Sequence, residues 1–455
     1  MLGAPALEHS TWGVLIVSAT RGDTLYAANA RKLLMPASNM KIVTLAAAAE
    51  KLGWDYTYET TLRAAGSVQN GVLRGDLIVT GSGDPSIGTA DGTADRLFAS
   101  WAGRLQTTGI RVVDGRVIGD DNRFDDEGLG FGWSWDDLPD DYAAAVSALQ
   151  FNENAVRVTI APGLAVGEPA SCAVTPATSG LTIDNRITTV PADSVATIGA
   201  HRLPGSMRLD LRGAIPLGSA PAARAVSVDN PTLFFVTALR SALIAHGIDV
   251  RGPAVDIDEI RDAPADHAGV PVAAYRSPPL STLASRLMKA SQNLYAETFL
   301  KTIGAAAGMP TAAGGRAAEH DVLNAWSVPA DGLIIRDGSG LSRYDYVTAE
   351  SLVRILVHVY RDEKLRGPFE ATLPIAGRDG TLSGRMKGTA AEGNARAKTG
   401  SMSNVRALSG YVTAADGEPL IFSILANNFE TAADVITSAM DAIVVRLATF
   451  TRSSR

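Results

Sequence analysis

A serine and a lysine stand three residues apart in the stretch MPASNMK, at the start of a run that is otherwise almost wholly apolar. On a helix, Ser38 and Lys41 share one face, because residues i and i+3 are neighbours on a helical surface. Desolvation in a water-poor cleft lowers the pKa of a lysine, and a partly neutral amine can take the proton from a serine hydroxyl. The pair indicates acyl transfer with Ser38 as the nucleophile and Lys41 as its base. By itself S-x-x-K is a weak signal, since a chain of this length holds about one by chance.

Two more short motifs follow in the chain. Ser291 and Asn293 form S-x-N in a break between the helical runs STLASRLMKA and LYAETFLKTI, a pattern that a helix N-cap explains equally well. Lys398-Thr399-Gly400 ends a predicted strand, and only about 0.05 K-T-G motifs are expected by chance in a chain with eight lysines. The small Gly400 would let a ligand approach the strand backbone closely. The order S-x-x-K, S-x-N, K-T-G is the set found in penicillin-binding proteins and serine β-lactamases.

The elements that position these motifs come from both ends of the chain. TWGVLIVSA (11–19) and TLYAANA (24–30), separated by TRGD, predict a β-hairpin, and a helix is predicted from near Pro36 to Gly53. An amphipathic helix closes the chain after three more predicted strands, at 394–400, 405–414 and 419–428. We expect the five strands to form one antiparallel sheet with the terminal helices packed on a face.

The middle of the chain, roughly 65–270, predicts an insertion that splits this domain in sequence. A helical run is predicted at 94–108, and strands are predicted at 71–81, 109–120, 154–163 and 206–215. The catalytic motifs therefore lie on two chain segments that must meet around the insertion.

Composition narrows the class of protein further. The chain has 455 residues, 46% of them hydrophobic and 20% charged, which is typical of a globular protein of about three domains. A net charge of −7 without a Lys/Arg block argues against a nucleic-acid partner. The six histidines lack metal-ligand spacing, so no metal or other cofactor is expected, and the single Cys172 excludes an intramolecular disulfide.

Membrane and export signals are missing from the sequence as given. No apolar run reaches the length of about 18 residues that a bilayer span needs. The start, MLGAPALEHS, has neither a basic region nor an apolar core typical of an export signal. Composition leaves two alternatives open: a cytoplasmic protein, or an exported chain whose signal has been removed.

The chain resembles the class C low-molecular-mass penicillin-binding proteins, which are D-alanyl-D-alanine carboxypeptidases/endopeptidases of the penicillin-recognising serine transferase superfamily. Besides the three motifs, the resemblance rests on VTGSGDPSIG (79–88), SALQFNENAVRV (147–158), RDGSGLSR (336–343) and the stretch 376–412. It covers nearly the whole chain. The long insertion between S-x-x-K and S-x-N also favours this class, because related β-lactamases lack it. Gln292 is a small departure at a position that is usually variable.

This resemblance implies an α+β fold and a location. The expected catalytic domain has a five-stranded antiparallel sheet with helices on both faces and is interrupted by a mainly β insertion of two nested domains. The implied domains are the catalytic domain at 1–64 and 270–455, domain II at 65–92 and 163–269, and domain III at 93–162. The protein would be exported, periplasmic or cell-wall associated, with its signal peptide absent from the mature chain.

The resemblance also implies how the site would work on peptidoglycan stem peptides. Ser38 would attack the penultimate D-Ala carbonyl, Ser291 would relay a proton to the leaving amine while Lys398 holds its hydroxyl, and Asn293 would bind the substrate amide and Lys41. The backbone N–H groups of Ser38 and Ser401 would stabilise the oxyanion, and β-lactams would acylate Ser38. The remaining substrate contacts are expected from Thr399, Gly400, Ser401, Met402, Ser403 and Arg343, and from Trp135, Asp137 and Tyr142 of the insertion.

Two other functions compete with this interpretation. A β-lactamase or esterase on the same fold would differ by releasing the acyl group from the enzyme rapidly. A non-catalytic module that binds muropeptide or β-lactam is the alternative from another class, and it predicts a broken set of motifs. Here all three motifs are intact.

Overall fold

A computed structural model describes residues 5–265 and 268–452 of the chain. The helices are α1 (Met40–Leu52), α2 (Thr93–Thr107), α3 (Pro231–Ala245), α4 (Leu280–Lys289), α5 (Asn293–Ala306), α6 (Ala312–Ala325), α7 (Ala349–Arg361), α8 (Glu363–Thr372) and α9 (Ala433–Ala448). The strands are β1 (Thr11–Ser18), β2 (Thr24–Ala28), β3 (Glu59–Gln69), β4 (Val72–Thr80), β5 (Val112–Val113), β6 (Val117–Asp120), β7 (Ala155–Ala161), β8 (Ser171–Thr175), β9 (Thr182–Val190), β10 (Thr197–His201), β11 (Arg208–Pro216), β12 (Ala222–Ser227), β13 (Asp249–Val250), β14 (Ala254–Asp256), β15 (Val270–Arg276), β16 (Leu333–Ile334), β17 (Tyr346–Val347), β18 (Arg396–Met402), β19 (Val405–Thr413) and β20 (Pro419–Asn427).

The described chain divides into two compact units. The first unit contains residues 1–56, 130–132 and 279–455, and the second contains residues 57–129 and 133–278. All three motifs belong to the first unit. Among the described residues, no helix combines the length and the apolar character that crossing a membrane requires.

The first unit is built on a five-stranded antiparallel sheet in the order β18-β19-β20-β1-β2. In β1, Val14 and Ile16 belong to the same apolar cluster as α9. The alternate residues Leu15 and Val17 face a recess shared with α7. Because successive side chains of a strand point to opposite faces, helices cover both faces of the sheet, as the α+β prediction required.

Helix α1 carries Lys41 in its first turn and is buried from Met40 to Ala49. The chain enters it through a short 3-10 turn, Ala37–Asn39, which holds Ser38. The sequence predicted an α-helix from near Pro36, and the 3-10 start does not change the pairing, because residues i and i+3 also align in a 3-10 turn. The helix ends at Gly53, whose φ of 78° suits the glycine predicted there.

The second unit is mainly β. Its sheets are β10-β11-β9, β12-β7-β8, and a larger mixed sheet in the order β13-β5-β4-β3-β15, to which β6 and β14 add. Helices α2 and α3 contribute to one core in which the rings of Phe98 and Phe235 meet edge to face at 5.5 Å. The long apolar side chains of both helices therefore hold this unit together.

The boundaries inside the insertion stay predictions, and two structural details bear on them. The run 109–120, expected as one strand, forms the two short strands β5 and β6, and between them Arg116 donates to the Asp76 carboxylate from its backbone N–H and its guanidinium. Both strands pair with β4. Strand β4, before position 93, and strands β5 and β6, after it, therefore belong to one sheet. Position 93 is where the predicted nested domain begins.

Candidate active site

Ser38 and Lys41 form the first of two serine–lysine pairs. Lys41 Nζ lies 2.9 Å from Ser38 Oγ, the spacing that the i, i+3 argument anticipated. Lys41 is fully buried, whereas Ser38 is partly open to solvent. A hydroxyl that solvent reaches is thus held against an amine that solvent does not reach.

Burial sets the protonation of Lys41. Desolvation lowers the pKa of its amine to about 7, against the opposing effect of the negative charges of Asp337, Glu297 and Asp345. An amine with this pKa is partly neutral near pH 7, which a general base must be. Its other contacts are with oxygen atoms: Asn293 Oδ1 at 2.6 Å and the Ser339 carbonyl at 2.8 Å.

The S-x-N segment brings a second serine to the site. Ser291 takes a left-handed backbone conformation, with a φ of 60°, between α4 and α5. The cap of α5 is Gln292, whose side chain accepts the backbone N–H of Leu294 at 3.2 Å. Ser291 and Asn293 are therefore not the N-cap that their residue types also suggested, and both side chains reach a lysine.

Lys398 forms the second serine–lysine pair. Its Nζ donates to Ser291 Oγ at 2.8 Å and to the Thr399 carbonyl at 2.8 Å. Desolvation and the nearby positive charge of Lys41 hold its pKa well below the ordinary range. Strand β18 is fastened to the turn that carries Ser38, because Asn39 Nδ2 donates to the Lys398 carbonyl at 3.0 Å.

Gly400 is small for a different reason from the one inferred from the sequence. A Cβ at this position would lie 2.6 Å from the Pro36 carbonyl and 3.2 Å from Cβ of Ala37. The space is thus filled by the turn before α1 and not kept open for a ligand. Glycine lets β18 approach the start of α1 closely enough for the three motifs to share one pocket.

Other predicted substrate contacts in the first unit lie around these pairs. Thr399 is nearly buried, and its hydroxyl contacts the Thr381 hydroxyl at 2.8 Å. The residues after it, Ser401, Met402 and Ser403, line a surface recess of about 380 Å³. Arg343 is exposed and follows the loop that supplies the Ser339 carbonyl.

The three residues predicted from the insertion belong to the second unit. Trp135 is 62% exposed. The Tyr142 hydroxyl lies 2.8 Å from Asp137 Oδ1 and 3.1 Å from Asp140 Oδ2. Burial and these carboxylates raise the pKa of Tyr142. That Trp135, Asp137 and Tyr142 contact a stem peptide stays a prediction.

The sequence patterns did not reveal the buried carboxylates that bind the backbone of the loop around Ser339. Glu297, on α5, accepts the backbone N–H of Ser339 at 2.7 Å and that of Gly338 at 3.1 Å. Asp337 accepts the N–H groups of Gly340 and Ser342 at 2.6 and 2.7 Å. The available signal was an acidic residue within the apolar helical run LYAETFLKTI, since a buried carboxylate needs a partner.

Comparison with known proteins shows the family of this chain. The model of the D-Ala-D-Ala carboxypeptidase 3 (S13) family matches residues 1–450. The chain belongs to this family. A D-alanyl-D-alanine carboxypeptidase from an Actinomadura species is 36% identical, over 99% of this chain and 83% of the relative. The D-alanyl-D-alanine carboxypeptidase DacB of Haemophilus influenzae is 26% identical, over 93% of this chain and 87% of the relative.

A solved structure agrees with the family assignment. The structure of penicillin-binding protein 4 from Haemophilus influenzae superposes with a TM-score of 0.81 at 27% identity and covers 93% of this chain and 92% of its own. The resemblance stated from the sequence and the α+β fold are thereby confirmed. The chain is a serine-type D-Ala-D-Ala carboxypeptidase.

Proposed function

We propose that the two serine–lysine pairs perform the D-Ala-D-Ala carboxypeptidase reaction through an acyl-enzyme on Ser38. The observation that supports this proposal is the short distance within each pair, 2.9 Å for Ser38–Lys41 and 2.8 Å for Ser291–Lys398. Each serine has its own amine, so one pair can activate the nucleophile while the other serves the leaving group.

Acylation begins when neutral Lys41 takes the proton of Ser38 Oγ, which attacks the penultimate D-Ala carbonyl. The oxyanion is met by the backbone N–H groups of Ser38 and Ser401; losing one such donor costs about 3 kcal/mol of barrier. The amide C–N bond then breaks. Ser291 gives its hydrogen to the departing amine, and the proton held by Lys41 replaces it. D-Ala leaves, and an ester on Ser38 remains.

Deacylation repeats the chemistry with water in place of the serine. Lys41 takes a proton from the water, the hydroxyl attacks the ester carbonyl, and the proton returns to Ser38 Oγ. Asn293 holds the substrate amide and, through its Oδ1, the Lys41 amine. Each step thus uses the same base, which begins and ends the cycle neutral.

The terminal carboxylate is assigned to the end of β18. The hydroxyls of Thr399 and Ser401 bind it, with Lys398 behind them. In the free enzyme burial and Lys41 disfavour the charge on Lys398. A bound carboxylate favours the ammonium form, because an opposite charge nearby raises the pKa of an amine. Recognition of the carboxylate and charging of Lys398 are therefore coupled.

Further parts of the proposal concern partners and location. The substrates are peptidoglycan stem peptides, and β-lactams acylate Ser38; in support, relatives are named penicillin-binding protein 4 and penicillin-sensitive carboxypeptidase A. The site of action is the periplasm or cell wall, where this substrate lies. Cross-linked stem peptides present the same penultimate carbonyl, so we also infer DD-endopeptidase activity, with Arg343 contacting the third residue of the stem.

The test is the intact mass of the protein after incubation with benzylpenicillin, together with D-Ala release from an acyl-L-Lys-D-Ala-D-Ala peptide. We expect one penicilloyl adduct, loss of the adduct in Ser38→Ala, and a fall in D-Ala release of at least about four orders of magnitude. Ser134→Ala, which removes another serine hydroxyl that is partly open to solvent, should label as the unaltered protein does. Labelling of Ser38→Ala at the normal rate would contradict the assignment.

A β-lactamase is the alternative on the same motifs, and the lifetime of the adduct decides between them. An adduct that persists for minutes supports the carboxypeptidase reaction. Rapid turnover of nitrocefin with no adduct would favour the β-lactamase.

A further inference from the structure

Thr381, in the 3-10 turn Gly380–Leu382, places a second hydroxyl against the K-T-G motif. Its Oγ1 lies 2.8 Å from Thr399 Oγ1, and Thr381 is exposed whereas Thr399 is nearly buried. We propose that Thr381 is a positioning residue that directs the Thr399 hydroxyl toward the terminal carboxylate of the substrate. This inference rests on the proposed function, which assigns that carboxylate to Thr399.

The two hydroxyls can exchange the roles of donor and acceptor. In the free enzyme Thr399 donates to Thr381. Each hydroxyl has one hydrogen and can also accept, so rotation about two C–O bonds reverses the bond without moving a heavy atom. Once Thr381 donates to Thr399, the hydrogen of Thr399 is free for an incoming oxygen. A carboxylate only accepts hydrogen bonds, and it therefore favours this second arrangement.

An ion pair holds the turn of Thr381 in place. Asp379 Oδ2 pairs with Lys289 Nζ at 2.5 Å, and Asp379 Oδ1 accepts the backbone N–H of Ile375 at 2.9 Å. Lys289 also donates to the Leu373 carbonyl at 3.2 Å. The segment before Thr381 is thus fastened to the last residue of α4.

Gly380 brings the same turn against the backbone of α4. Its φ is +54°, and a Cβ there would lie 2.7 Å from the Lys289 carbonyl and 3.1 Å from its Cα. Leu382, on the other side of Thr381, is fully buried. Thr381 is therefore an exposed residue between two anchored neighbours, and its hydroxyl position is set by the fold.

These contacts close a ring around the leaving-group side of the pocket. The ring runs from Lys289 through Asp379 and the turn to Thr381, across to Thr399 in β18, and from Lys398 to Ser291, two residues beyond Lys289. It joins the S-x-N and K-T-G segments independently of α1. Such a ring can place the carboxylate-binding hydroxyl relative to the hydroxyl that protonates the leaving group.

The test compares two thioesters of the same N-acyl-D-Ala, one of thioglycolic acid and one of ethanethiol. The first has a terminal carboxylate, the second does not, and a thioester is reactive enough for both to be hydrolysed. For Thr381→Val we expect kcat/KM on the thioglycolate ester to fall by up to about tenfold, because Thr399 loses the neighbour that directs its hydroxyl and its hydrogen bond to the charged carboxylate is weakened. Turnover of the ethanethiol ester should change less than about twofold, and Thr381→Ser should restore the preference.

Thr389→Val is the matched control. Thr389 lies in the same loop, and its hydroxyl donates to the Met386 carbonyl and not to the motif, so both thioesters should behave as with the unaltered protein. An equal loss on both thioesters in Thr381→Val, or no loss on either, overturns the positioning role. Unaltered protein that hydrolyses neither thioester overturns the proposed function itself, and one without preference for the carboxylate overturns the assignment to Thr399.

Discussion

The two serine–lysine pairs have nearly the same geometry and different electrostatic surroundings. Both lysines are fully buried, and desolvation lowers the pKa of each. Around Lys41, the charges of Asp337, Glu297 and Asp345 oppose this effect and leave a pKa of about 7. The charge that acts on Lys398 is that of Lys41, which lowers its pKa further. Burial alone therefore does not assign a role to a lysine; the neighbouring carboxylates do.

This contrast in charge supports the different task that we propose for each lysine. The pKa of about 7 at Lys41 suits the role of base that we propose for it. Lys398 lies beside the predicted position of an anion, and its protonation depends on that anion. In the mechanism we propose, the helix side of the pocket is ready for proton transfer before substrate binds, and the strand side becomes charged when substrate binds.

Replacing each lysine in turn is the strongest way to break the comparison. Lys41→Met should slow acylation by benzylpenicillin by about 10²–10⁴, the usual contribution of a general base. Lys398→Met should cost less, about 10–100-fold, because it removes hydrogen bonds and a charge that binds carboxylate. Stopped-flow labelling of both variants measures the two rates. A larger loss in Lys398→Met would assign the base to the strand side.

The pH dependence sharpens the comparison. We expect kcat/KM for D-Ala release to fall as the pH decreases through about 7, because protonated Lys41 cannot take a proton. Glu297→Gln removes a carboxyl whose negative charge raises the pKa of Lys41. Because burial raises the pKa of Glu297 itself to about 7, only part of that charge is present in this range, and the midpoint of the fall should move to lower pH by less than about one unit.

For Glu297→Gln, the quantity to compare is the midpoint of the pH profile and not the level of activity. Glu297 also holds the loop of Ser339, and the substitution should lower the rate at every pH. The charge is tested by the midpoint alone. A midpoint that stays fixed or moves to higher pH would show that Glu297 does not set the basicity of Lys41. Glu363→Gln, at an exposed position on α8, is the control.

The smallest effect on activity is expected for substitution of Glu319, which should change the pH dependence of stability instead. Its carboxyl is fully buried, and neither oxygen has a hydrogen-bond partner among the described residues. Burial raises its pKa to about 8. The folded state therefore keeps a proton that the unfolded chain loses above about pH 4.5, and stability should decrease as the pH rises from there to about 8.

Glu319→Gln should reduce this slope by its own share, at most about 1.4 kcal/mol per pH unit, while other buried carboxyls with raised pKa values, such as Glu297 and Asp84, keep theirs. Urea unfolding between pH 5 and 8 measures it, with Glu363→Gln retaining the slope of the unaltered protein. An unchanged slope in Glu319→Gln would mean that this carboxyl is ionised in the folded protein.

Much of the fold and of the pocket could be predicted from residue patterns. Alternating or continuous apolar runs indicated each strand of the central sheet, and the glycine at position 53 indicated the end of α1. The serines and lysines of the three motifs could be named as one site because their order in the chain is specific. The inner loop around Ser339 was found only as a quoted stretch without a role, since a backbone carbonyl leaves no mark on the sequence.

Several residues could not be interpreted before the chain was folded. Gln292 counted as a departure from a pattern, and it is the cap that frees its two neighbours for the lysines. Gly400 was assigned to ligand approach, and it is the Pro36 carbonyl that occupies its open side. Glu297 and Thr381 form their contacts with residues 42 and 18 positions away in the chain.

The sequence by itself determined the family to which the chain belongs and which serines and lysines we propose for the chemistry, because both follow from side-chain type and from the order of the motifs along the chain. The tertiary structure decided which lysine lies among carboxylates, which hydroxyl faces which, and why a glycine is needed beside the nucleophile. These depend on burial and on distances of a few ångströms between segments distant in the chain. Electrostatic free energies change steeply over such distances, and local sequence patterns do not contain them.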